Sequence, residues 1–165
     1  MKLPTTASAL TSGYSIANVY ILEQSLVPAT ADALTGASEE GDLTVGWDWR
    51  HVQTDVFEVK LELLKAPGRR RPYTAAVTTV GTFQRAGNPS VSLHEFVRVQ
   101  AVAILLPYGR QFLATLTGNT PPGPVHIPTL NVVAMTQSFD PEKATGFRQE
   151  RESAPPASGK RKPKR

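Results

Sequence analysis

Val56-Phe57-Glu58-Val59-Lys60-Leu61-Glu62-Leu63 is the stretch on which the fold turns. From Phe57 to Leu63 the odd positions are apolar and the even ones charged, a period of two that belongs to a β-strand with one face in a core and the other in water. Phe57, Val59, Leu61 and Leu63 are expected inside, and Glu58, Lys60 and Glu62 in solvent. Working outward, Leu43 to Arg50 repeats the pattern, with Leu43, Val45, Trp47 and Trp49 sharing a face. Tyr73 to Phe83 is rich in Val, Thr and aromatics, with Gly81 late in the run as a candidate bulge. Asn18 to Leu26 is the fourth strand and the least regular, apolar at Tyr20, Leu22 and Leu26. Runs that are apolar on one side only predict an antiparallel sheet with one covered face.

The connections fit that sheet. Ala66-Pro67-Gly68-Arg69-Arg70-Arg71-Pro72 is a short turn segment between two strong strands, and its arginines read as a solvated loop tip. Arg50 to Thr54 joins the Trp47 and Phe57 strands, whereas Pro28 to Asp42 is too long for a tight hairpin and reads as a crossover loop.

A long helix is expected next. Ser92-Leu93-His94-Glu95 is a capping box, with Ser92 as N-cap and Glu95 reaching back to it. The helix runs on through Val99, Val102, Ile104, Leu105, Tyr108, Phe112 and Leu116 to Gly118, and Pro107 inside it predicts a kink or a split. Ala101 to Leu106 is apolar nearly all round, so this turn calls for cover on more than one side, part of it from another subunit. After the Pro-rich link 119–124 and the short extended segment Val125 to Pro128, Leu130 to Phe139 predicts a brief second helix.

At 165 residues the chain suits one domain with tails. The expected boundaries are an N-terminal extension over 1–17, the folded domain over 18–140 and a disordered basic tail over 141–165. The net charge of +4 is uneven: Pro141 to Arg165 holds eight Lys or Arg against three Glu, a net of +5, which leaves the rest near −1. A neutral body argues against a nucleic-acid surface on the domain, and the tail, with Lys160 to Arg165 at its end, is the one feature that favours a nucleic-acid or acidic partner. With no cysteine there is no disulfide framework, which suits a reducing cytoplasm. The start of the chain lacks the apolar run of a secretory signal, and no window suits a membrane span. His51, His94 and His126 are scattered without metal-ligand spacing, Glu58 and Glu62 flank Lys60 as ordinary solvated charge, and no phosphate-binding glycine motif occurs. No cofactor, metal or catalytic residue is therefore expected.

Ile104-Leu105-Leu106-Pro107-Tyr108-Gly109-Arg110 is similar to the I-L-F-P-Y-A-R helix signature of the SecB protein-export chaperone family, of which Pro-Tyr-x-Arg is the distinctive part. Val56-Phe57-Glu58-Val59-Lys60-Leu61 resembles that family's V-Y-E-V-x-L strand, and Val80-Gly81-Thr82-Phe83-Gln84-Arg85-Ala86-Gly87 its G-G-x-F-x-x-x-G strand end. Val125 to Val132 loosely follows L-x-L-x-P-V-N-F, with the proline one place early at Pro128. The resemblance spans roughly Val19 to Val132. It implies an α+β subunit: a four-stranded antiparallel sheet with a long kinked helix and a short second helix packed on one face. It further implies a cytoplasmic homotetramer, a dimer of dimers joined through the first strand and the long helix, that holds unfolded polypeptides in apolar grooves without ATP. Tyr20, Leu22, Trp47, Trp49, Phe57 and Phe112 are then the candidate client-binding residues, and Ile104, Leu105, Tyr108 and Arg110 the candidate subunit interface. The export motor SecA docks on acids of the sheet's outer face in that family. Glu23 keeps such an acid, whereas Ala76 and Val27 stand at other matching places, so an antitoxin or a different client is the competing partner.

Overall fold

The computed structural model describes residues 13–137. Their elements are β1 (Tyr14–Pro28), α1 (Ala31–Leu34), β2 (Leu43–Gln53), β3 (Val56–Lys65), β4 (Tyr73–Arg85), α2 (Leu93–Glu95), a π-helical stretch over Phe96–Gln100, α3 (Ala101–Thr117) and α4 (Val132–Thr136). The strands form one antiparallel sheet in the order β1-β4-β3-β2, so the strongly patterned β3 and the β-branched β4 take the interior places. The helices pack on one face, giving the expected α+β architecture. The basic tail of 141–165 lies outside the described residues.

The inner face follows the alternation. Phe57, Val59, Leu61 and Leu63 are sealed beneath Phe96, Val97, Ala101, Val102 and Leu105, and a smaller cluster joins Tyr73, Ala75 and Val77 to Leu113 and Val125. The outer face departs from expectation, because Lys60 is only 9% exposed. Lys60 sits opposite Asp48 and its ammonium meets Glu62 at 2.9 Å. Glu58 pairs with Arg50 at 2.6 Å and accepts from the Tyr20 hydroxyl at 3.3 Å. To reach β3 from β1 the Tyr20 ring must cross β4 above its register partner Val80, which is buried although it points away from the helices. The middle of this charged face is thus closed over Lys60 by an aromatic and by ion pairs, while Glu62 stays in water as expected.

β1 begins at Tyr14, inside the segment expected to be an extension. The reason is Tyr14 itself: its ring packs on Phe96 at 4.2 Å and edge-on to Phe57 at 5.8 Å, and its hydroxyl donates to the Val91 carbonyl at 3.3 Å. The sheet's irregularities lie at Ala17 and Leu22 between β1 and β4 and at Val52 between β2 and β3, not at Gly81. Gly81 stays in register with Val59, and its missing side chain serves packing: a Cβ there would stand 2.6 Å from Leu105 Cδ2. Gly109 on α3 does the same opposite Leu63, so two glycines let helix and sheet approach closely.

Ser92 caps α2 by accepting from the Glu95 amide at 3.2 Å, whereas the Glu95 carboxylate turns forward to Arg98 at 2.6 Å. Pro107 does not split the helix: α3 is continuous through it, and a π-helical stretch precedes Ala101. Pro107 lies on the exposed side of α3 together with Ala103, four residues earlier, so the carbonyl deprived of its donor belongs to the solvent face, where water can satisfy it.

Candidate functional site

The chain after α3 builds a surface recess against the edge of the sheet. Thr117 Oγ1 donates to the Leu113 carbonyl at 2.8 Å and accepts from the Val125 amide at 2.8 Å, which turns the backbone back along the sheet. Arg71 grips the returning strand of chain through the carbonyls of Gly123, at 2.6 Å, and Pro124, at 3.4 Å. Arg110 grips it again at the Pro128 carbonyl, at 2.6 Å. Held at these points, the segment leads into α4, whose Asn131 cap accepts from the Ala134 amide at 3.1 Å. Between this segment and the edge of β2 lies an open trough of about 470 Å³. Leu43, Val45, Pro128, Leu130 and Met135 line it, with Asp42 and Lys65 at one end. It offers apolar wall with charge only at a margin, which suits side chains of an extended peptide more than a small polar ligand.

Two further apolar surfaces are left uncovered. β1 exposes Ile16, Ile21, Leu22, Leu26 and Val27, the last at 55%. It is an edge strand, and the bulge at Leu22 turns that side chain outward. On α3 the outer stripe carries Ile104 and Tyr108, 37% and 42% exposed.

The expected site residues divide among these places. Phe57 is 2% exposed, at the centre of the core between Phe83 and Phe96, so it cannot line a groove of this subunit. Trp49, on the same face, is buried beside it and meets the rings of His51 and His94 edge-on at 4.9 and 6.1 Å. Trp47 is half-buried against the core from the β2 edge, and Phe112 is half-buried against the smaller cluster. Tyr20 stands on the opposite sheet face, and Leu22 is exposed on β1. Leu105 is also corrected: it is fully buried against its own sheet, whereas Ile104 and Tyr108 point away from it. Arg110 is a clamp on the link. Glu23 is exposed on the outer face opposite Thr78, and Ala76 and Val27 share that face. Leu130, Met135 and Pro128 are not among the site residues expected from the sequence, because nothing local says that Arg71 and Arg110 will pin their segment beside β2. Among the described residues no three His, Asp or Glu gather as metal ligands.

The sequence profile of the family described as preprotein translocase subunit SecB matches residues 8–141. The chain belongs to the SecB family. A protein of Methanocaldococcus jannaschii is 30% identical over 74 residues, covering 45% of this chain and 48% of that protein, so this chain spans about half of that relative's length. The solved SecB-like chaperone Rv1957 of Mycobacterium tuberculosis, in complex with a ChAD peptide from the HigA1 antitoxin, superposes with a TM-score of 0.56. That match covers 74% of this chain and 91% of the other at 17% identity, a likeness of fold. No helix among the described residues is long and apolar enough to cross a membrane.

Proposed function

We propose that this SecB-family chain is a subunit of a cytoplasmic holdase chaperone that binds unfolded or precursor polypeptides without ATP and without catalysing a reaction. The observation that carries the reading is the trough between β2 and the clamped link, an open recess lined mainly by apolar side chains. Transfer of apolar surface from water contributes about 25 cal/mol per Å² regardless of which apolar side chain supplies it. Such a surface therefore selects unfoldedness more than sequence, and several copies acting on one client multiply weak contacts into firm holding. Assembly as a homotetramer, with β1 edges and the Ile104–Tyr108 stripe as contacts, accounts for both of the other uncovered apolar surfaces.

Of the two settings, control of an antitoxin fits better than hand-over to SecA. Glu23 is the one acid kept among the matching outer-face positions, Ala76 and Val27 cannot supply a cation-binding patch, and the Mycobacterium tuberculosis relative of this fold is bound to an antitoxin peptide. The competing reading, a nucleic-acid or acidic-partner binder acting through Lys160 to Arg165, rests on residues beyond those described. Light scattering of a chemically denatured client diluted into buffer without nucleotide distinguishes them. The full chain and a chain ending at Gln149 should both suppress aggregation. Suppression lost with the tail, or absent in both, would overturn the holdase reading.

A further inference from the structure

The three consecutive arginines of the β3–β4 loop do not share one fate. Arg71 is largely buried and holds the returning link, and its guanidinium also donates to the Tyr73 hydroxyl at 3.3 Å. Arg69 and Arg70 face outward, with 66% and 63% of their side chains exposed. Beside them opens a second recess, of about 530 Å³, distinct from the trough. Its floor is Leu26, Pro28, Pro72 and Pro121, and Arg69 and Arg70 stand on its wall. Tyr73 completes the floor, its hydroxyl fixed by Thr120 Oγ1 at 3.0 Å.

This basin is formed before anything enters it. Three prolines fix their own backbone angles, and the Ala29 amide ties the end of β1 to the Pro72 carbonyl at 2.9 Å. On the other side Arg69 and Arg70 donate their amides to the carbonyls of Ser38 and Glu39, at 3.1 and 3.0 Å, so the loop that carries them is braced. A rigid recess avoids much of the ordering cost of binding.

The charge around it is positive and exchangeable. Arg69 meets Glu39 at 3.6 Å, while Arg70 and Arg71 meet Glu40 at 3.2 and 3.4 Å. Three arginines thus face two glutamates. The Arg69–Glu39 and Arg70–Glu40 pairs are solvent-exposed on both sides and therefore weak, so an incoming carboxylate can replace a glutamate at little cost. An apolar floor with guanidinium groups at its wall matches an aromatic or branched apolar side chain that has a carboxylate one or two residues away.

We propose that this basin docks an acidic–aromatic peptide segment of a partner protein, the ring resting on Pro72, Pro28 and Pro121 and the carboxylate on Arg69 and Arg70. The proposal deepens the holdase reading by naming a class of segment, and it stands on residues separate from the trough. The chain's own end, Lys160 to Arg165, carries the wrong charge for it.

The test uses the full chain and two labelled, Gly/Ser-rich short peptides, one with a Trp flanked by Asp, the other with Lys in place of Asp. Fluorescence anisotropy should show the acidic peptide binding at least about tenfold tighter, with the preference shrinking as salt rises from about 0.05 to about 0.5 M. Arg69→Glu with Arg70→Glu should abolish the preference. Arg69→Gln with Arg70→Gln, which spares Glu39 and Glu40 any repulsion, should reduce it to near parity. Both double variants should still suppress client aggregation, so that failure of the basin and failure of the holdase reading are told apart. Equal binding of the two peptides, or a preference that survives both double variants, overturns the proposal. So does a photo-crosslinker at Pro72 that captures a second copy or the chain's own tail in place of the acidic peptide.

Discussion

β3 and β1 are both rich in apolar side chains, and they end in opposite conditions. On β3 the four apolar residues from Phe57 to Leu63 are sealed; on β1 Ile16, Ile21, Leu22, Leu26 and Val27 all remain at least 36% exposed. Composition does not separate them. Position does: β3 lies inside the sheet beneath Phe96 to Leu105, whereas β1 is an edge with no strand beyond it among the described residues, and two bulges interrupt its facing. Alternation names the face of a strand that seeks cover, and the surrounding chain decides whether that cover comes from within the subunit.

The largest effect should come from attacking this contrast directly. Phe57→Ala removes a ring that touches Tyr14, Trp49, Phe83 and Phe96, and a fully buried Phe of this kind costs about 3–5 kcal/mol when truncated. Urea unfolding should show most of the domain's stability gone. Leu22→Ser with Val27→Ser should change the unfolding free energy by only about 0.5 kcal/mol per site, while altering the sedimentation of the native protein. If the β1 pair destabilised the subunit as much as Phe57→Ala, β1 would belong to the core and the contrast would collapse.

Gly81→Ala comes next. The added methyl would lie 2.6 Å from Leu105 Cδ2 and 2.8 Å from Phe83 Cε2, both in packed surroundings. Overpacking of this order costs about 1–3 kcal/mol. A thermal melt unchanged by the substitution would mean that α3 does not press on β4 as described.

A smaller change, and one of function in place of stability, is expected in the trough. Leu130→Glu with Met135→Glu puts carboxylates on its apolar wall. Both positions are half-buried and also pack against the main core, so a thermal melt of the variant must accompany the binding measurement. Binding of a permanently unfolded client should weaken about tenfold, a change of about 1.4 kcal/mol. Client affinity that ignores both substitutions would move the binding surface elsewhere, with the β1 strip as the next place to look.

Much of this was legible in advance. The β3 pattern, the Ser92 cap and the Pro-Tyr-x-Arg helix gave sheet, helix start and family, because each is a local signal with a local cause. The surface was harder to read. Phe57 and Trp49 look identical to groove aromatics until Phe96 and Leu105 are placed over them, and Lys60 looks solvated until Tyr20 and Asp48 close in from two other strands. The trough depends on Arg71 and Arg110 catching main-chain carbonyls some 53 and 18 residues away, and no periodicity encodes such a contact. Gly81 shows the same limit in miniature: a glycine in a strand announces that something comes close, not whether it is a bulge or a helix.

Tyr14 offers the finest test of where β1 joins the core. Burial raises its phenol above the usual value, an effect that Arg85 partly offsets. In the unfolded chain the phenol ionises near pH 10, so between there and its folded value the unfolded state gives up a proton that the folded state keeps. The contribution is therefore complete below about pH 10 and is lost as pH rises through the folded value. Tyr14→Phe retains the ring contacts with Phe57 and Phe96 and loses only the 3.3 Å bond to Val91, so at neutral pH it should cost no more than about 1 kcal/mol. The wild-type advantage should then shrink when urea unfolding is repeated at about pH 10.5. Parallel pH dependence of the two proteins would put the Tyr14 hydroxyl in water, and with it the first turn of β1 outside the core that Phe57 anchors.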